Sequence, residues 1–412
     1  MNKSPRLVAL ETLYSIFYDG SYSNIALDKA LSDIKENKAF ISALVYGVTE
    51  RKITLDYFID KYAQGRIKPK VRVVLWLGAY QLLFMDKVPS SASINESVKL
   101  VKEIKQDYYS KLVNAVLHKI DNDRQIPDDL SVKYSVPENL INMWKKQYGE
   151  DVLNEFLPCI NDKPPLFAIP NKKFVNSDEL LYELECDGIL GEAYDEFVLI
   201  ENANDLTDSK AFKNGLFYIE DLSSFNCANA LDALSDDLVL DMCSAPGGKA
   251  FTISQSMNNS GKIYCYDLHE HRLNLIKNSA KRLSIDNIYT DVNDATVYNE
   301  NIPKADKILC DVPCSGFGII RRKPEIRYKD LDSVKDLPQI QYKILETSSR
   351  YLKNGGRIIY STCTLNKKEN ENVVNKFLKD HSGYKLLKDK TVFPSTVGGD
   401  GFYYAIMVKN EN

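Results

Sequence analysis

Apolar and polar positions along the chain follow three successive patterns. In the first third, apolar residues recur at three- and four-residue spacings, as in Leu7, Leu10 and Leu13, which is typical of amphipathic helices. The stretch 73–84 is almost entirely apolar and predicts a buried central helix. Ser93, followed three residues later by Glu96, predicts a helix N-terminus. These features predict an all-α domain over residues 1–125.

The second pattern begins after a polar segment that contains a proline, residues 121–129, which is the best linker candidate. Short apolar runs at 166–169 and 197–200 are separated by a helical stretch at Ser177–Cys186. This mixture predicts a small α+β module, and we place the linker and the module together at residues 126–220.

From residue 221 to residue 412, short apolar strands alternate with amphipathic helices, which indicates βαβ units and a parallel sheet. The predicted strands are 238–240, 262–266, 288–290, 307–310, 357–360 and 402–408. The predicted helices are 249–257, 270–283, 333–352 and 367–379, and Gly355 is the expected stop of the third helix.

The composition of the chain disfavours several classes of protein. The 412 residues carry a formal net charge of -4, so any nucleic acid must be bound by a local basic strip. Eight cysteines without a Cys-x-x-Cys pair, together with only four histidines, indicate neither a disulfide framework nor a zinc site. This cysteine and histidine usage predicts a protein without a bound metal. We expect it to be cytoplasmic, because the sequence shows no signal peptide and no membrane-spanning run.

Polar candidates cluster where the predicted parallel strands end, which is where open α/β sheets bind ligands. Asp241, Asp267 and Asp311 each end a strand, Asp294 lies just past another, and Cys363 follows the fifth. The first of these ends continues into a glycine-containing loop that opens a helix, Cys243-Ser244-Ala245-Pro246-Gly247-Gly248-Lys249. Glycines let the backbone approach a ligand closely, and Asp267 is placed to accept ribose hydroxyls. The loop is neither a dinucleotide nor a Walker motif, so hydride and phosphoryl transfer are disfavoured.

Two cysteines complete the candidate chemistry, namely Cys314 in Asp-Val-Pro-Cys-Ser-Gly and Cys363 in Ser-Thr-Cys-Thr. Two thiols near a methyl-donor loop suit methylation of a pyrimidine at carbon 5, because that carbon becomes nucleophilic only after a thiolate adds at carbon 6. A buried structural thiol is the alternative for either residue. A free thiol with a pKa of about 8.5 needs positive surroundings to ionise, and Lys249 and the 321–323 basic run are the available sources.

These motifs resemble those of the RNA cytosine-5 methyltransferases that use S-adenosylmethionine, most closely the bacterial RsmB or Sun type that modifies small-subunit ribosomal RNA. Segments of the first third, such as 77–83, 94–98 and 113–117, resemble a NusB-type helical RNA-binding domain. The resemblance covers nearly the whole chain. It implies a NusB-like N-terminal domain, a small α+β middle module and a Rossmann-like class I methyltransferase domain, acting as a monomer on naked or partly assembled 16S ribosomal RNA.

The resemblance also implies residue roles. Cys363 attacks carbon 6, Cys314 assists product release, and Asp311 lies near both the methyl group and the base. The cofactor is contacted by the Cys243–Lys249 loop, by Asp267 at the ribose, by Asp294 on the adenine side and by Asp311. One departure is that Ile169 stands where the family commonly has an arginine, which affects how the middle module grips RNA.

Several assignments stay open from sequence alone. Basic clusters at 66–72 and at Arg321, Arg322, Lys323 and Arg327 are candidate RNA contacts, the second more than the first because it flanks the cysteine motif. For Arg272 a plain surface role is favoured over the alternative, in which it pairs with Asp267 or with a cofactor carboxylate. A DNA cytosine-5 methyltransferase, in which Cys314 attacks instead, is the second enzyme hypothesis. A NusB-like RNA-binding or assembly factor with an inactive methyltransferase half is the third.

Overall fold

The computed structural model of the chain describes residues 3–202, 206–395 and 398–411. The chain folds into two compact units. The first contains residues 1–162 and 320–329, and the second contains residues 163–319 and 330–412. The boundaries placed at residues 125 and 220 stay predictions about independently folding parts.

The first unit is helical, as the apolar spacing predicts. One helix shows the physical reason: it buries Val113, Val116, Leu117 and Ile120 on a single face, and this spacing repeats with the helical turn. The helices are α1 (Pro5–Tyr18), α2 (Ser23–Leu31), α3 (Lys38–Tyr62), α4 (Pro69–Phe84), α5 (Ser90–Glu103), α6 (Ser110–Asn122), α7 (Leu130–Tyr134), α8 (Glu138–Tyr148) and α9 (Glu150–Phe156).

Helix α4 is the buried central helix that its apolar sequence predicts. A Cβ atom at Gly78 would lie 2.6 Å from the Leu117 side chain and 2.8 Å from Ser97 Oγ, so α5 and α6 approach the α4 backbone directly at this glycine. The predicted helix start at Ser93 is wrong. Helix α5 begins at Ser90, and Ser93 lies one turn inside it, where its hydroxyl donates to the Gly78 carbonyl at 3.1 Å.

Residues 320–329 belong to the helical unit although they follow the Cys314 motif in sequence. Arg327 is fully buried, and its Nη1 donates to the carbonyls of Glu50 at 2.8 Å and Ser135 at 3.1 Å and to Asn161 Oδ1 at 2.9 Å. Burial lowers the pKa of this guanidinium. The segment is therefore fixed to the helices by a buried charge that bonds mainly to backbone oxygens.

This burial corrects one expectation about RNA contacts. Arg327 is 0% exposed and Arg321 is 3% exposed, so neither offers its charge to a ligand at the surface. The prediction of an RNA-binding strip is wrong for these two arginines. Lys323, which is exposed, keeps that candidate role.

The second unit contains a small antiparallel sheet of strand order β2-β3-β1-β4. Its helix α10 begins with a capping box, in which Asn176 and Glu179 each accept a hydrogen bond from the other's backbone. The helix has the bounds that the sequence predicts. The elements are β1 (Leu166–Pro170), α10 (Ser177–Cys186), β2 (Gly191–Ala193), β3 (Val198–Ile200), α11 (Lys210–Lys213) and β4 (Phe217–Ile219).

A buried asparagine connects this small sheet to the larger part of the unit. Asn171, directly after β1, is 2% exposed. Its Nδ2 donates to the carbonyl of Gly215 at 2.9 Å and to the carbonyl of Leu283 at 2.8 Å. One side chain thus joins the strand end of the small sheet to the C-terminal end of the helix Glu270–Arg282 in the large domain.

The large sheet has the strand order β10-β11-β9-β8-β5-β6-β7, in which β9, β8, β5, β6 and β7 run parallel and β10 and β11 are antiparallel additions. The strands are β5 (Leu238–Asp241), β6 (Lys262–Asp267), β7 (Ile288–Val292), β8 (Ala305–Asp311), β9 (Leu352–Thr362), β10 (Tyr384–Val392) and β11 (Phe402–Lys409). The helices are α12 (Leu222–Asn229), α13 (Gly248–Ser256), α14 (Glu270–Arg282), α15 (Leu337–Ser349) and α16 (Glu371–Asp380).

The sequence analysis placed one helix end wrongly in this domain and did not predict one strand. The third predicted helix was expected to reach Leu352 and stop near Gly355, but α15 ends at Ser349 and Gly355 lies inside β9. Strand β10 was missed because its charged lysines and aspartate give no apolar run. As an edge strand with exposed side chains, it needs little apolar surface, and its pairing with β11 is a tertiary contact.

In the described part of the chain, no helix combines the length and the apolar character needed to cross a membrane.

We expect Asn171→Ala to loosen the small sheet locally. Each carbonyl that loses its donor costs about 1–3 kcal/mol, so amide exchange in β1 and β4 should accelerate about tenfold or more. Hydrogen exchange read by mass spectrometry measures this. Asn229→Ala, which removes one bond from Ser256 at the surface, is the control and should change exchange less than twofold.

The two tryptophans, Trp76 and Trp144, both lie in the helical unit. Their fluorescence during urea unfolding should therefore not shift in Asn171→Ala. Equal exchange rates in the variant and the parent protein would show that Asn171 does not fasten the small sheet.

Candidate active site

The strand order creates a crevice at the carboxyl end of β5. The chain leaves β5 toward β6 on one side, and β8 lies on the other side, so the connections diverge above Asp241. Sheets of this kind bind ligands at such a point. Asp241, Asp267 and Asp311 end β5, β6 and β8, as predicted from the sequence.

The loop from Cys243 to Lys249 follows β5 and opens α13. Ser244 N donates to the Tyr266 carbonyl at 2.8 Å, which holds the loop against β6. Gly247 has φ +107, and a Cβ there would lie 2.9 Å from the Phe251 ring. A Cβ at Gly248 would lie 2.9 Å from Glu220 Oε1. Both positions therefore require glycine, the first for its backbone conformation and the second for space.

Arg272 connects this loop to Asp267, and the expectation of a plain surface role is wrong. Its Nη1 lies 2.8 Å from Asp267 Oδ2, and its Nη2 donates to the Ala245 carbonyl at 2.7 Å. Asp267 is 3% exposed and also accepts from His269 N at 3.1 Å. The arginine thus sets the distance between the loop and the carboxylate. His269 and His271, at the start of the helix that carries Arg272, are exposed.

Asp294 lies two residues beyond β7 and is exposed. Its Oδ1 accepts from Thr296 N at 2.9 Å and Oγ1 at 2.7 Å, and these bonds lower the pKa of the carboxyl. Its predicted place on the adenine side stays a prediction. The neighbouring Asn293 was missed: its backbone N donates to the Asp267 carbonyl at 3.1 Å, and its buried Nδ2 has no partner among the described residues.

A cavity of about 370 Å³ opens beside the loop. Its polar lining includes Glu220, Asp241, Ser244, Lys249 and Asp311. Burial raises the pKa of Glu220 to about 7 and that of Asp241 to about 7. Thr252 donates to Glu220 Oε2 at 2.5 Å. Glu220 carried no sequence signal, because its burial comes from the packing of β4 against α13.

Lys249 is paired with Asp311, and this pairing changes its expected role. Its Nζ lies 2.7 Å from Asp311 Oδ2 and donates to Ser224 Oγ at 3.1 Å. Ser361 Oγ donates to the other carboxylate oxygen of Asp311 at 2.8 Å. Lys249 was predicted as a source of positive charge for a thiolate. Its charge instead offsets Asp311 and fixes that carboxylate at the end of β8.

The two cysteines of the sequence analysis meet. Strands β8 and β9 pair in parallel up to Asp311 and Ser361, so the residues that follow emerge side by side. The Sγ atoms of Cys314 and Cys363 lie 3.3 Å apart, and both residues are partly exposed. Hydrogen bonding to Cys363, followed by burial, raises the pKa of the Cys314 thiol well above its usual range. Cys314 therefore keeps its proton and can donate it toward the Cys363 sulfur.

The backbone between the two cysteine loops leaves no room for a side chain. Gly318 N donates to the Cys363 carbonyl at 3.0 Å, and Gly401 N donates to the Gly318 carbonyl at 2.9 Å. A Cβ at Gly318 would lie 1.9 Å from the Gly401 carbonyl oxygen. The same Cβ would lie 2.9 Å from the Cys363 carbonyl oxygen. A glycine at position 318 is thus required for the close approach of the two cysteine loops.

The remaining cysteines contrast with this pair. Cys265 and Cys310 lie within β6 and β8 and are fully buried, as expected of core thiols. Burial raises the pKa of Cys310 to about 12. Within residues 3–202, 206–395 and 398–411, no group of three or more His, Cys, Asp or Glu side chains is arranged to hold a metal ion.

The site suits a nucleoside that carries a charged amino-acid tail. The loop leaves no side chain at Gly247 and Gly248, Asp267 is a buried carboxylate at the end of β6, and the orphaned amide of Asn293 lies beside it. Acidic groups line the adjoining cavity. S-Adenosylmethionine is a nucleoside joined to a cationic amino-acid chain, so the residues present fit it.

Known proteins resemble this chain over nearly its whole length. Residues 228–408 match the family described as 16S rRNA methyltransferase RsmB/F, and residues 3–122 match the NusB family. The probable ribosomal RNA small subunit methyltransferase B of Bacillus subtilis (strain 168) is 33% identical over 98% of this chain and 99% of its own length. A protein of the same description from Synechocystis sp. is 30% identical over 93% of this chain and 90% of its own length.

Solved structures give the same result for the fold. The crystal structure of PH0851 superposes with a TM-score of 0.82 at 27% identity, covering 99% of this chain and 100% of that chain. The structure of NSun6 from Pyrococcus horikoshii with SFG has a TM-score of 0.60 at 21% identity, covering 67% of this chain and 99% of that chain. The predicted fold class is confirmed. The chain belongs to the RsmB/F family of 16S rRNA methyltransferases, which use S-adenosylmethionine, and it carries a NusB-family domain at its N-terminal end.

Proposed function

We propose that this enzyme methylates carbon 5 of a cytidine in small-subunit ribosomal RNA through a covalent bond between Cys363 and the base. The 3.3 Å contact between the Cys363 and Cys314 sulfurs carries the proposal. A second thiol that keeps its proton beside the first can stabilise the first as a thiolate by a hydrogen bond, both before addition to the base and during release. The substrate follows from the relatives, which are described as acting on small-subunit ribosomal RNA.

The first step is addition of the Cys363 thiolate to carbon 6 of an unpaired or flipped cytidine. A new C6–S bond forms, and the electron pair of the C5–C6 double bond moves toward carbon 5 and the ring. The protonated Cys314 stabilises the ionised Cys363 by donating a hydrogen bond to it. Carbon 5 then becomes nucleophilic enough to accept an alkyl group.

Bound S-adenosylmethionine supplies an electrophilic methyl group. We assign its binding to the Cys243–Lys249 loop, Asp267 and Asp294, with Asp311 near the reacting atoms. Asp311 is held by Lys249 and Ser361, so it is oriented before substrate arrives. Because its oxygens retain further lone pairs, it can also accept from the exocyclic amine of cytosine.

Release requires that the carbon 5 proton leave and that the C6–S bond break. The proton passes to a base, for which a water held near Cys314 is the candidate. The pair of electrons from the C5–H bond restores the ring double bond, and the C6–S pair returns to Cys363. Cys314 assists by donating a hydrogen bond to the departing sulfur.

The family assignment favours ribosomal RNA over DNA and favours an active enzyme over an assembly factor with an inactive half. The intact loop, the paired Asp311 and both cysteines support activity. In the middle module, Ile169 is fully buried in β1, so the position that commonly holds an arginine in the family is packed into the small sheet here. RNA contacts of that module must come from other residues.

We expect Cys363→Ala to abolish methyl transfer to ribosomal RNA, because it removes the sulfur that is proposed to form the C6–S bond. Cys314→Ala should retain the addition step and accumulate a protein–RNA adduct. Transfer of tritiated methyl groups and a denaturing gel measure the two effects. Cys186→Ala, at an exposed site, is the matched control. Full activity of Cys363→Ala together with loss of activity in Cys314→Ala would favour the attack order of the DNA enzymes.

The raised pKa of Cys314 predicts selective alkylation. At pH 8 the Cys314 thiol is protonated and unreactive, so iodoacetamide should modify Cys363 first. Mass spectrometry of tryptic peptides gives the order. In Cys363→Ala the contact that contributes most to raising the pKa is removed, so Cys314 should react faster than in the parent protein. Faster modification of Cys314 than of Cys363 in the parent protein would contradict the assignment.

Arg272→Ala should weaken cofactor binding without touching the thiols. Loss of its bonds to Asp267 and Ala245 frees both the carboxylate and the loop, and a hydrogen bond to a charged group contributes about 1.5–3 kcal/mol. We expect the dissociation constant for S-adenosylmethionine, measured by calorimetry, to rise roughly tenfold to a hundredfold. His271→Ala is a control on the same helix. An unchanged constant would remove Arg272 from the binding site.

A further inference from the structure

Glu369 is a buried carboxylate that lies between the two cysteine loops. It is 0% exposed, and both of its oxygens are occupied. Oε2 accepts from Ser315 N and from Gln341 Nε2, each at 2.9 Å. Oε1 accepts from Ser315 Oγ at 2.6 Å and from Asn366 Nδ2 at 2.9 Å. Four donors surround one charge that has been removed from water.

These donors come from separate parts of the chain. Ser315 directly follows Cys314, and Asn366 lies three residues beyond Cys363. Gln341 belongs to α15, and it also donates to the Pro313 carbonyl at 3.0 Å. The Glu369 carboxylate therefore joins the two cysteine loops to a helix of the sheet's outer layer.

Two further bonds complete the connection. Ser315 Oγ lies 2.6 Å from Thr364 Oγ1, which pairs the residues that follow the two cysteines. Tyr360 OH, from β9, donates to the Glu369 backbone carbonyl at 2.5 Å. Glu369 is thus held at its backbone by the strand that leads to Cys363 and at its side chain by the loop that carries Cys314.

A charge of this kind is expensive to bury unless its lone pairs are satisfied. Hydrogen bonds to a charged acceptor are stronger and more directional than neutral ones, so they fix the groups that donate them. Here the fixed groups are the immediate neighbours of the two sulfurs. Displacement of the Ser315 loop would move Cys314 relative to Cys363 while leaving the cofactor loop in place.

We propose that Glu369 is a positioning residue that sets the separation of the Cys314 and Cys363 sulfurs and thereby the rates of thiol addition and release. The proposal rests on the roles proposed above for the two cysteines. Glu369 touches neither sulfur and acts through Ser315 and Asn366. Its loss should lower turnover and leave cofactor affinity unchanged.

The principal test compares Glu369→Gln with Glu371→Gln, the same change two residues along the chain. The amide at position 369 directs N–H groups at donors that need an acceptor. We expect kcat for methyl transfer to fall roughly 100-fold, the effect of a misplacement of about 1 Å. The KM for RNA and the dissociation constant for S-adenosylmethionine should change less than threefold. Glu371→Gln should remain within twofold of the parent protein.

A second readout measures the sulfur separation without relying on activity. Diamide oxidises two neighbouring thiols to a disulfide, taking two electrons and two protons and itself becoming the hydrazine. A contact of 3.3 Å needs little movement to reach the bonded distance of about 2.05 Å. The Cys314–Cys363 disulfide, followed by mass spectrometry, should form at least tenfold more slowly in Glu369→Gln than in the parent protein or in Glu371→Gln.

Milder variants guard against misfolding of Glu369→Gln. Ser315→Ala removes one of the three side-chain donors, and Gln341→Met removes another without adding a charge. Both variants should slow disulfide formation and turnover, each by less than Glu369→Gln does. The variant that slows disulfide formation more should also slow turnover more. Circular dichroism and thermal unfolding of each variant report whether the fold is retained.

The outcomes separate this inference from the function on which it rests. A folded Glu369→Gln with unchanged kcat and unchanged disulfide rate overturns the positioning role. Lower thermal stability alone, without either change, assigns Glu369 to the fold only and also overturns it. Full activity of Cys363→Ala would instead remove the covalent mechanism, whatever Glu369→Gln does. An altered disulfide rate in that case would still show that Glu369 sets the geometry of the two loops.

Discussion

The parallel pairing of β8 with β9 is the constraint on which the site depends. It brings Asp311 opposite Ser361, and the loops that follow carry Cys314 and Cys363 away from the same edge. Two residues 49 positions apart in sequence thereby place their sulfurs 3.3 Å apart. Neither loop has this geometry by itself, because each is irregular backbone fixed only by its neighbours.

Paired charged side chains fix the positions of the loops that follow the strands. Lys249 and Asp311 offset each other at the centre, Arg272 holds Asp267 against the cofactor loop, and Glu369 collects donors from both cysteine loops. Glu369 and Asp267 are almost fully removed from water, and Lys249, Asp311 and Arg272 are partly removed from it. The deeper a charge lies, the more it requires partners with defined geometry. The same requirement that makes these groups costly to bury makes them effective at fixing the residues around them.

Sequence reasoning succeeded where local pattern and chain topology coincide. Alternating strands and helices predicted the parallel sheet, and since parallel strands share an edge, the aspartates at their ends were expected to converge. It failed where the environment decides a residue's role. Arg327 was interpreted as a surface cation and Arg272 as an unpaired one, because a charged side chain carries no local signal of whether it is buried or which partner it meets. Glu369 and Asn293 were missed for the same reason.

Periodicity and local residue chemistry are enough to predict the helical first third, the alternation of helices and parallel strands, the glycine loop and the two candidate thiols. The folded structure shows that the thiols touch, that Lys249 pairs with Asp311 rather than with a sulfur, and that residues 320–329 belong to the helical unit. These outcomes depend on contacts between segments far apart in the chain, which packing selects and local pattern does not record.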